Sequence, residues 1–174
     1  MSKLITHLHV FARNACASRG ALKVGNSVFF CLIGRTGRRY GKREGDGASP
    51  KGKWKLTQLY YRPDRMGRPY FPSNAKALKP TDGWCDAAGH GQYNRFVTLP
   101  FNASHENLWR NDQAYDLIFT TDHNLRPRRQ FGGSAIFLHV INAGASRTEG
   151  CIALSKKDLL QVLRRCSRQT YLVI

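Results

Sequence analysis

The chain has 174 residues, 41% of them hydrophobic, which suits one domain with a sizeable core. With 28 Lys and Arg against 11 Asp and Glu, the formal charge is +17, so acidic partners are favoured: nucleic acid, an anionic lipid surface or an anionic cell-wall polymer. No apolar run reaches the length of a membrane span, and Met1 to Val10 does not read as a signal peptide. The five cysteines, at 16, 31, 85, 151 and 166, are odd in number and contain no Cys-x-x-Cys pair, a poor fit for a disulfide framework.

Leu4 to Phe11 alternates in polarity and predicts a strand, with His7 and His9 as exposed strand residues rather than metal ligands. Ser27 to Ile33 is β-prone and bounded by Gly34, which predicts a central strand. The basic run Arg35 to Arg43 is read as a solvated hairpin in preference to a nucleic-acid patch. The turn-rich stretch Gly45 to Gly52 delivers another strand, Lys53 to Tyr60. It lacks the Gly-Lys-Ser/Thr ending of a phosphate-binding loop, and no helix pattern follows.

From about Tyr61 to Arg110 the sequence reads as a loop-rich insertion. Trp84, Cys85 and Asp86 inside it either line a pocket or anchor the loop. Arg95 to Pro100 predicts a short strand, and Ser104 reads as the N-cap of a helical turn containing His105 and Glu106. A zinc-protease motif there is excluded because position 109 is Trp.

Tyr115 to Thr121 predicts a strand that ends at Asp122, His123 and Asn124, polar residues at a strand–loop junction. Arg126 to Arg129 either holds an anionic group or is simply solvated. Ser155 caps a helix with Leu159, Leu160, Val162 and Leu163 on its apolar face, and Tyr171 to Ile174 closes the chain as a strand. The sum is a mainly β domain, expected as two packed sheets with a few short helices.

Two stretches carry chemistry. Ala135 to Ile141 is apolar and β-prone except for His139, which a strand would hold rigidly. Gly150-Cys151 places a thiol where the backbone can bend tightly and leave N–H groups for an oxyanion. A thiol becomes a nucleophile as thiolate, and His139 is the nearest upstream imidazole able to take its proton. A zinc site from Cys85, His123, His139 and Cys151 is a remote alternative because the ligand spacing is unhelpful.

Three stretches in this order resemble the L,D-transpeptidase catalytic domain (YkuD-like) family of bacterial cell-wall enzymes: Gly47 to Trp54, Ser134 to His139, and Thr148-Glu-Gly-Cys151. The resemblance covers roughly residues 4–174 and implies a β-sandwich of that family, one catalytic domain over residues 1–174 with an insertion at about 61–110. It implies a cysteine acyltransferase acting on peptidoglycan stem peptides. Cys151 would be the nucleophile, His139 the base and acid, the Gly150 backbone an oxyanion donor and Thr148 an ordering hydroxyl. Trp84, Tyr115, His123, Asn124, Arg147 and Glu149 are the expected substrate contacts.

Glu149 stands where the commoner family pattern has a histidine, and Ile152-Ala-Leu where it has an arginine. Several features resemble a compact branch, some members of which are linked to 1,3 crosslinks. The family implies the periplasm or cell wall, no cofactor or metal, and an anionic cell-wall polymer as partner rather than a specific nucleic acid. The competing functions are a peptidoglycan L,D-carboxypeptidase or amidase, with water as acceptor, and a basic nucleic-acid-binding protein. Three groups are open candidates for orienting His139: a backbone carbonyl, Glu149 and Asn124.

Overall fold

The computed structural model describes residues 4–69 and 75–174. The readings for residues 1–3 of the N-terminus and 70–74 of the insertion lie outside the described residues. In chain order the elements are β1 (Ile5–Ala12), β2 (Arg19–Val24), β3 (Ser27–Leu32), β4 (Arg38–Arg39), β5 (Ser49–Pro50), β6 (Lys53–Tyr61) and β7 (Lys76–Ala77). They continue as β8 (Asp82–Cys85), β9 (Arg95–Thr98), β10 (His105–Asn107), β11 (Leu117–Thr121), β12 (Phe137–Val140), β13 (Ile152–Leu154), the helix α1 (Lys156–Leu163) and β14 (Cys166–Val173).

The mainly β reading holds, and the two expected layers are opposite walls of one sheet. Its order is β11-β12-β13-β3-β2-β1-β14-β6-β7, and β11 also pairs with β6, so eight strands close into a barrel with β7 appended beside β6. Closure leaves those eight strands without a free edge. Alternation decides what points inward: on β1, Leu8 and Val10 are buried while His9 and Phe11 are exposed. His7 and His9 stack with ring centroids 5.9 Å apart, on the outer face.

The main cluster of buried side chains joins Leu8, Val10, Leu22, Leu56 and Phe119 from the strands to Leu159, Val162 and Leu163 from α1. Each fully buried side chain of this kind contributes about 1.5–3 kcal/mol. Ser155 caps α1 as expected, its hydroxyl accepting the Asp158 N–H at 3.1 Å.

Four local readings need correction. The insertion is not irregular: β8 pairs with both β9 and β10 in a three-stranded antiparallel sheet. Its strands are too short, and Gly83 too disruptive of alternation, for a sequence pattern to reveal them. The turn after Ser104 is strand β10, because pairing with β8 supplies backbone hydrogen bonds that an isolated helical turn cannot sustain.

The basic run is not a hairpin. Arg38–Arg39 lies parallel to Ser49–Pro50, and Asp46 closes the intervening loop by accepting the Arg43 and Ala48 N–H groups at 2.8 and 2.9 Å. The closing strand is longer than expected, running from Cys166 along both β1 and β6. Among the described residues α1 is the one α-helix.

Candidate active site

Cys151 stands at the entrance to β13, which runs parallel to β12 with Leu138 opposite Ile152 and His139 opposite Ala153. Continued back one residue, that register sets Cys151 level with Phe137, whose N–H donates to Sγ at 3.3 Å. Side chains two apart on a strand share a face, so Cys151 and His139 emerge on the same side of neighbouring strands. They line one cavity of about 420 Å3, together with Tyr115, Arg147, Thr148 and Glu149.

The loop from Thr148 to Cys151 is clamped from several directions. The Thr148 hydroxyl donates to the Cys151 carbonyl at 2.6 Å and accepts the Gly150 N–H at 3.2 Å. The Thr148 backbone is tied to the end of β3 through Thr148 N to Ile33 O and Arg35 N to Thr148 O. Ser49 is fully buried; its hydroxyl accepts the Gly34 N–H at 2.9 Å and donates to Gly150 O at 2.8 Å. Behind the loop, the buried Lys42 ammonium pairs with Asp46 at 2.7 Å.

Gly150 has φ +137°, and a Cβ built there would lie 2.8 Å from the Ala48 carbonyl oxygen. Both its conformation and its surroundings therefore demand glycine.

Electrostatics favour the neutral pair. Burial pushes the Cys151 thiol up to about 12, with the Glu106 carboxylate adding to the rise and the Phe137 N–H and the Lys42 charge opposing it. The thiol proton is directed at Ala135 O, 3.1 Å away. Burial likewise pushes His139 down to about 4, against the favourable contact with the Val140 carbonyl. That carbonyl lies 2.8 Å from Nδ1, which assigns the proton to Nδ1 and leaves Nε2 as the basic nitrogen.

A backbone carbonyl thus orients His139. Glu149 instead pairs with Arg35 at 2.8 Å, and Asn124 bonds the backbone carbonyls of Arg129 and Gly133. The Tyr115 ring meets the imidazole edge-on, with centroids 5.4 Å apart.

The two buried histidines make the fold acid-sensitive. His139 and His123 both have an ordinary value of 6.5 and drop to about 4 in the fold. Between those values the unfolded chain binds more protons, so stability is full above pH 6.5 and is lost as pH falls toward 4. At about 1.4 kcal/mol per unit, His139 alone accounts for on the order of 3 kcal/mol. Urea unfolding at pH 7.5 and pH 4.5 is expected to give a markedly smaller stability at the lower pH, and His139→Gln is expected to shrink that difference by roughly half. An unchanged difference in the variant would contradict the assignment.

Trp84, His123 and Asn124 do not line this cavity. Trp84 packs edge-on against Phe137, centroids 5.2 Å apart, and donates its indole N–H to Asn94. Asn94 also accepts the Ala135 N–H and donates to the carbonyls of His123 and Asn124. These residues therefore brace the segment that receives the thiol proton. His123 and Asn124 line a different cavity.

The Cys151 cavity contains residues that sequence reasoning did not select: Glu106, Arg110 and Asn142. Glu106 accepts a short hydrogen bond from Tyr115 Oη, and burial raises its carboxyl above the ordinary range. Arg110 stacks over the Tyr115 ring and pairs with Asp112 at 2.5 Å. The only sequence cue to Glu106 was its place beside His105, read there as a failed metal motif.

All five cysteines are free thiols. No group of three or more His, Cys, Asp or Glu among the described residues is arranged to hold a metal ion; Cys85 and His123 lie apart from the cavity that His139 and Cys151 share.

Fold and site together define a mainly β protein in which a buried cysteine and a buried histidine on adjacent strands face one cavity. The chain belongs to the YkuD family of L,D-transpeptidase catalytic domains, whose family model matches residues 22–174. No curated protein and no solved structure matches the chain. Membership carries the family's general function, cysteine-dependent L,D-transpeptidation of peptidoglycan stem peptides.

Proposed function

We propose that residues 1–174 act as one catalytic domain that forms peptidoglycan crosslinks through a thioester on Cys151. The observation that carries this reading is the shared cavity of Cys151 and His139, with the imidazole oriented through Nδ1 and its Nε2 available as base. The donor stem peptide enters with its L–D bond at Sγ. As Sγ attacks the carbonyl of the L-centre, the thiol proton leaves its contact with Ala135 O for Nε2 of His139.

The oxyanion is received by backbone N–H groups of the Gly150–Cys151 turn, with the Gly150 N–H released from Thr148 Oγ1. The imidazolium then protonates the departing D-amino acid, leaving the thioester. In the second half-reaction Nε2 accepts a proton from the acceptor amine as that amine attacks the thioester carbonyl, and the proton returns to Sγ. Tyr115, Arg147 and Glu149 are the substrate contacts of this reading, supported by their place in the cavity wall.

The acceptor is the free α-amine of the first residue of a stem peptide already released from its glycan, giving 1,3 crosslinks, in keeping with the resemblance to the compact branch. The place of action is the periplasm or cell wall. No helix among the described residues is long and apolar enough to cross a membrane.

Incubation with purified tetrapeptide muropeptides as donors and a free stem peptide with an unblocked amino terminus as acceptor, followed by mass spectrometry of the products, tests this. Crosslinked dimers are expected, linked to the first acceptor residue, and absent with Cys151→Ala. Trimmed stems without dimers would instead assign an L,D-carboxypeptidase, and dimers formed by Cys151→Ala would overturn the thioester route.

A further inference from the structure

Two carboxylates line the Cys151 cavity. Glu149 is exposed and paired with Arg35. Glu106 is partly buried, and among the described residues no Lys, Arg or His lies within ion-pairing distance of it. Arg110 shares its wall but gives Nε and Nη2 to Asp112, at 2.9 and 2.5 Å. Oε2 of Glu106 accepts the short hydrogen bond from Tyr115 Oη. Oε1 has no hydrogen-bond partner among the described residues and is not closed off from solvent.

The Glu106 charge reaches the thiol, where it adds to the rise of Cys151. A carboxylate in that place works against thiolate formation, so activation of the nucleophile does not account for it. A cation that visits the cavity does. The second half-reaction brings one: an α-amine has an ordinary pKa of about 8, so at neutral pH the acceptor arrives as an ammonium with no lone pair for attack. Two protons must leave it, one before attack and one during it, and His139 Nε2 takes the second.

We propose, resting on the acyl-transfer reading of Cys151, that Glu106 receives the ammonium of the acceptor in the Cys151 cavity and takes the first of these protons. Oε1 accepts the N–H and then the proton, leaving a neutral amine and a neutral carboxyl. The amine nitrogen bonds to the thioester carbon as the C–S bond breaks, and its second proton reaches Sγ through Nε2. Glu106 then returns its proton to solvent, to which Oε1 is open.

The surroundings favour this transfer. Burial raises the Glu106 carboxyl and disfavours the ion pair relative to the neutral pair. Of the neighbouring charged and polar groups, Asp86 and Glu44 promote proton uptake, while Arg110 and the Tyr115 hydrogen bond oppose it. Water carries no charge and gains nothing from the carboxylate, so Glu106 directs the thioester toward an amine and away from hydrolysis.

The test uses the full chain, acylated with a tetrapeptide donor and then mixed with a free stem peptide whose amino terminus is unblocked. Mass spectrometry reads the ratio of crosslinked dimer to hydrolysed tripeptide. That ratio is set after acylation, so a change in acylation rate does not enter it. Glu106→Gln keeps an acceptor for Tyr115 Oη and removes the charge. It is expected to lower the ratio by about tenfold or more at pH 7, the loss of a charge-assisted hydrogen bond. The deficit is expected to narrow toward pH 9, where solvent has already deprotonated the amine, and with hydroxylamine, which is uncharged at neutral pH. Tyr115→Phe, which removes the hydrogen bond and keeps the charge, is expected to lower the ratio far less.

An unchanged ratio in Glu106→Gln overturns the proposal, and a raised KM for the donor in its place would set the carboxylate against the donor stem. Equal losses in the two variants, or a deficit that persists at pH 9 and with hydroxylamine, would overturn it too and reduce Glu106 to a brace for Tyr115. All of these results leave the Cys151 thioester standing. A wild-type chain that forms no thioester overturns the acyl-transfer reading itself, and this proposal with it.

Discussion

Replacing His139 by alanine is expected to lower the rate of thioester formation by about 10^2–10^4-fold at neutral pH, the usual range for a positioned general base. The magnitude follows from the thiol. With Cys151 pushed up to about 12, the free thiolate at pH 7 is roughly one part in 10^5, so unaided ionisation contributes almost nothing. In the proposed mechanism the wild-type chain avoids that limit by moving the proton to Nε2 during attack.

The variant has only solvent to remove the proton, and its residual rate is therefore expected to rise about tenfold per pH unit up to pH 10. The wild-type rate over pH 7–10 is expected to change far less. Stopped-flow measurement of acylation by a carbapenem across this range checks both statements. A variant rate that stays flat with pH would show that His139 is not the proton acceptor.

Gly150→Ala is the second substitution expected to have a large effect. The added methyl would meet the Ala48 carbonyl oxygen at 2.8 Å, and an alanine would be held at φ +137°. A non-glycine residue in such a conformation costs on the order of 1–3 kcal/mol, and relief comes only by moving the loop. Moving the loop displaces Cys151, because the Gly150 carbonyl is held by Ser49 and the Cys151 carbonyl by Thr148.

A displacement of about 1 Å at a reacting atom costs on the order of 10^2-fold in rate. The expected result is an acylation rate reduced at least that far, with thermal unfolding showing a folded but less stable chain. Near-normal acylation would mean that the loop geometry around Gly150 is not what aligns the thiol.

The local geometry of the candidate site is legible in sequence. A histidine in a β-prone run and a Gly-Cys turn are short-range signals, and β12 and the Cys151 turn express them directly. Most strands announced themselves by alternation, because one face of each meets the core. The three-stranded sheet did not, since residues such as Trp84 and Cys85 are successive buried positions in a strand four residues long. Glu106 reaches the cavity wall because β10 pairs with β8 more than twenty residues upstream, a register that no local pattern encodes.

Ser49 is similar: its motif was visible, but its hydrogen bond to Gly150 spans 101 positions. Trp84 stands out in sequence as an aromatic beside a thiol and a carboxylate within the insertion, and His123 and Asn124 as polar groups where a strand enters a loop. Their placement around Asn94 depends on a side chain at a tight turn, φ 54°, which composition does not distinguish from any other loop asparagine.

The central claim is that Cys151 carries the acyl group. Mixing the chain with a tetrapeptide donor in the absence of an acceptor, quenching in acid and measuring the intact mass, then mapping the adduct by peptide fragmentation, tests it most directly. The expected result is a mass increase equal to the donor stem less its terminal D-amino acid, located on Cys151, removed by hydroxylamine and absent in Cys151→Ala. Crosslinked product formed with no adduct on Cys151, or an adduct mapped to any other residue, would contradict it.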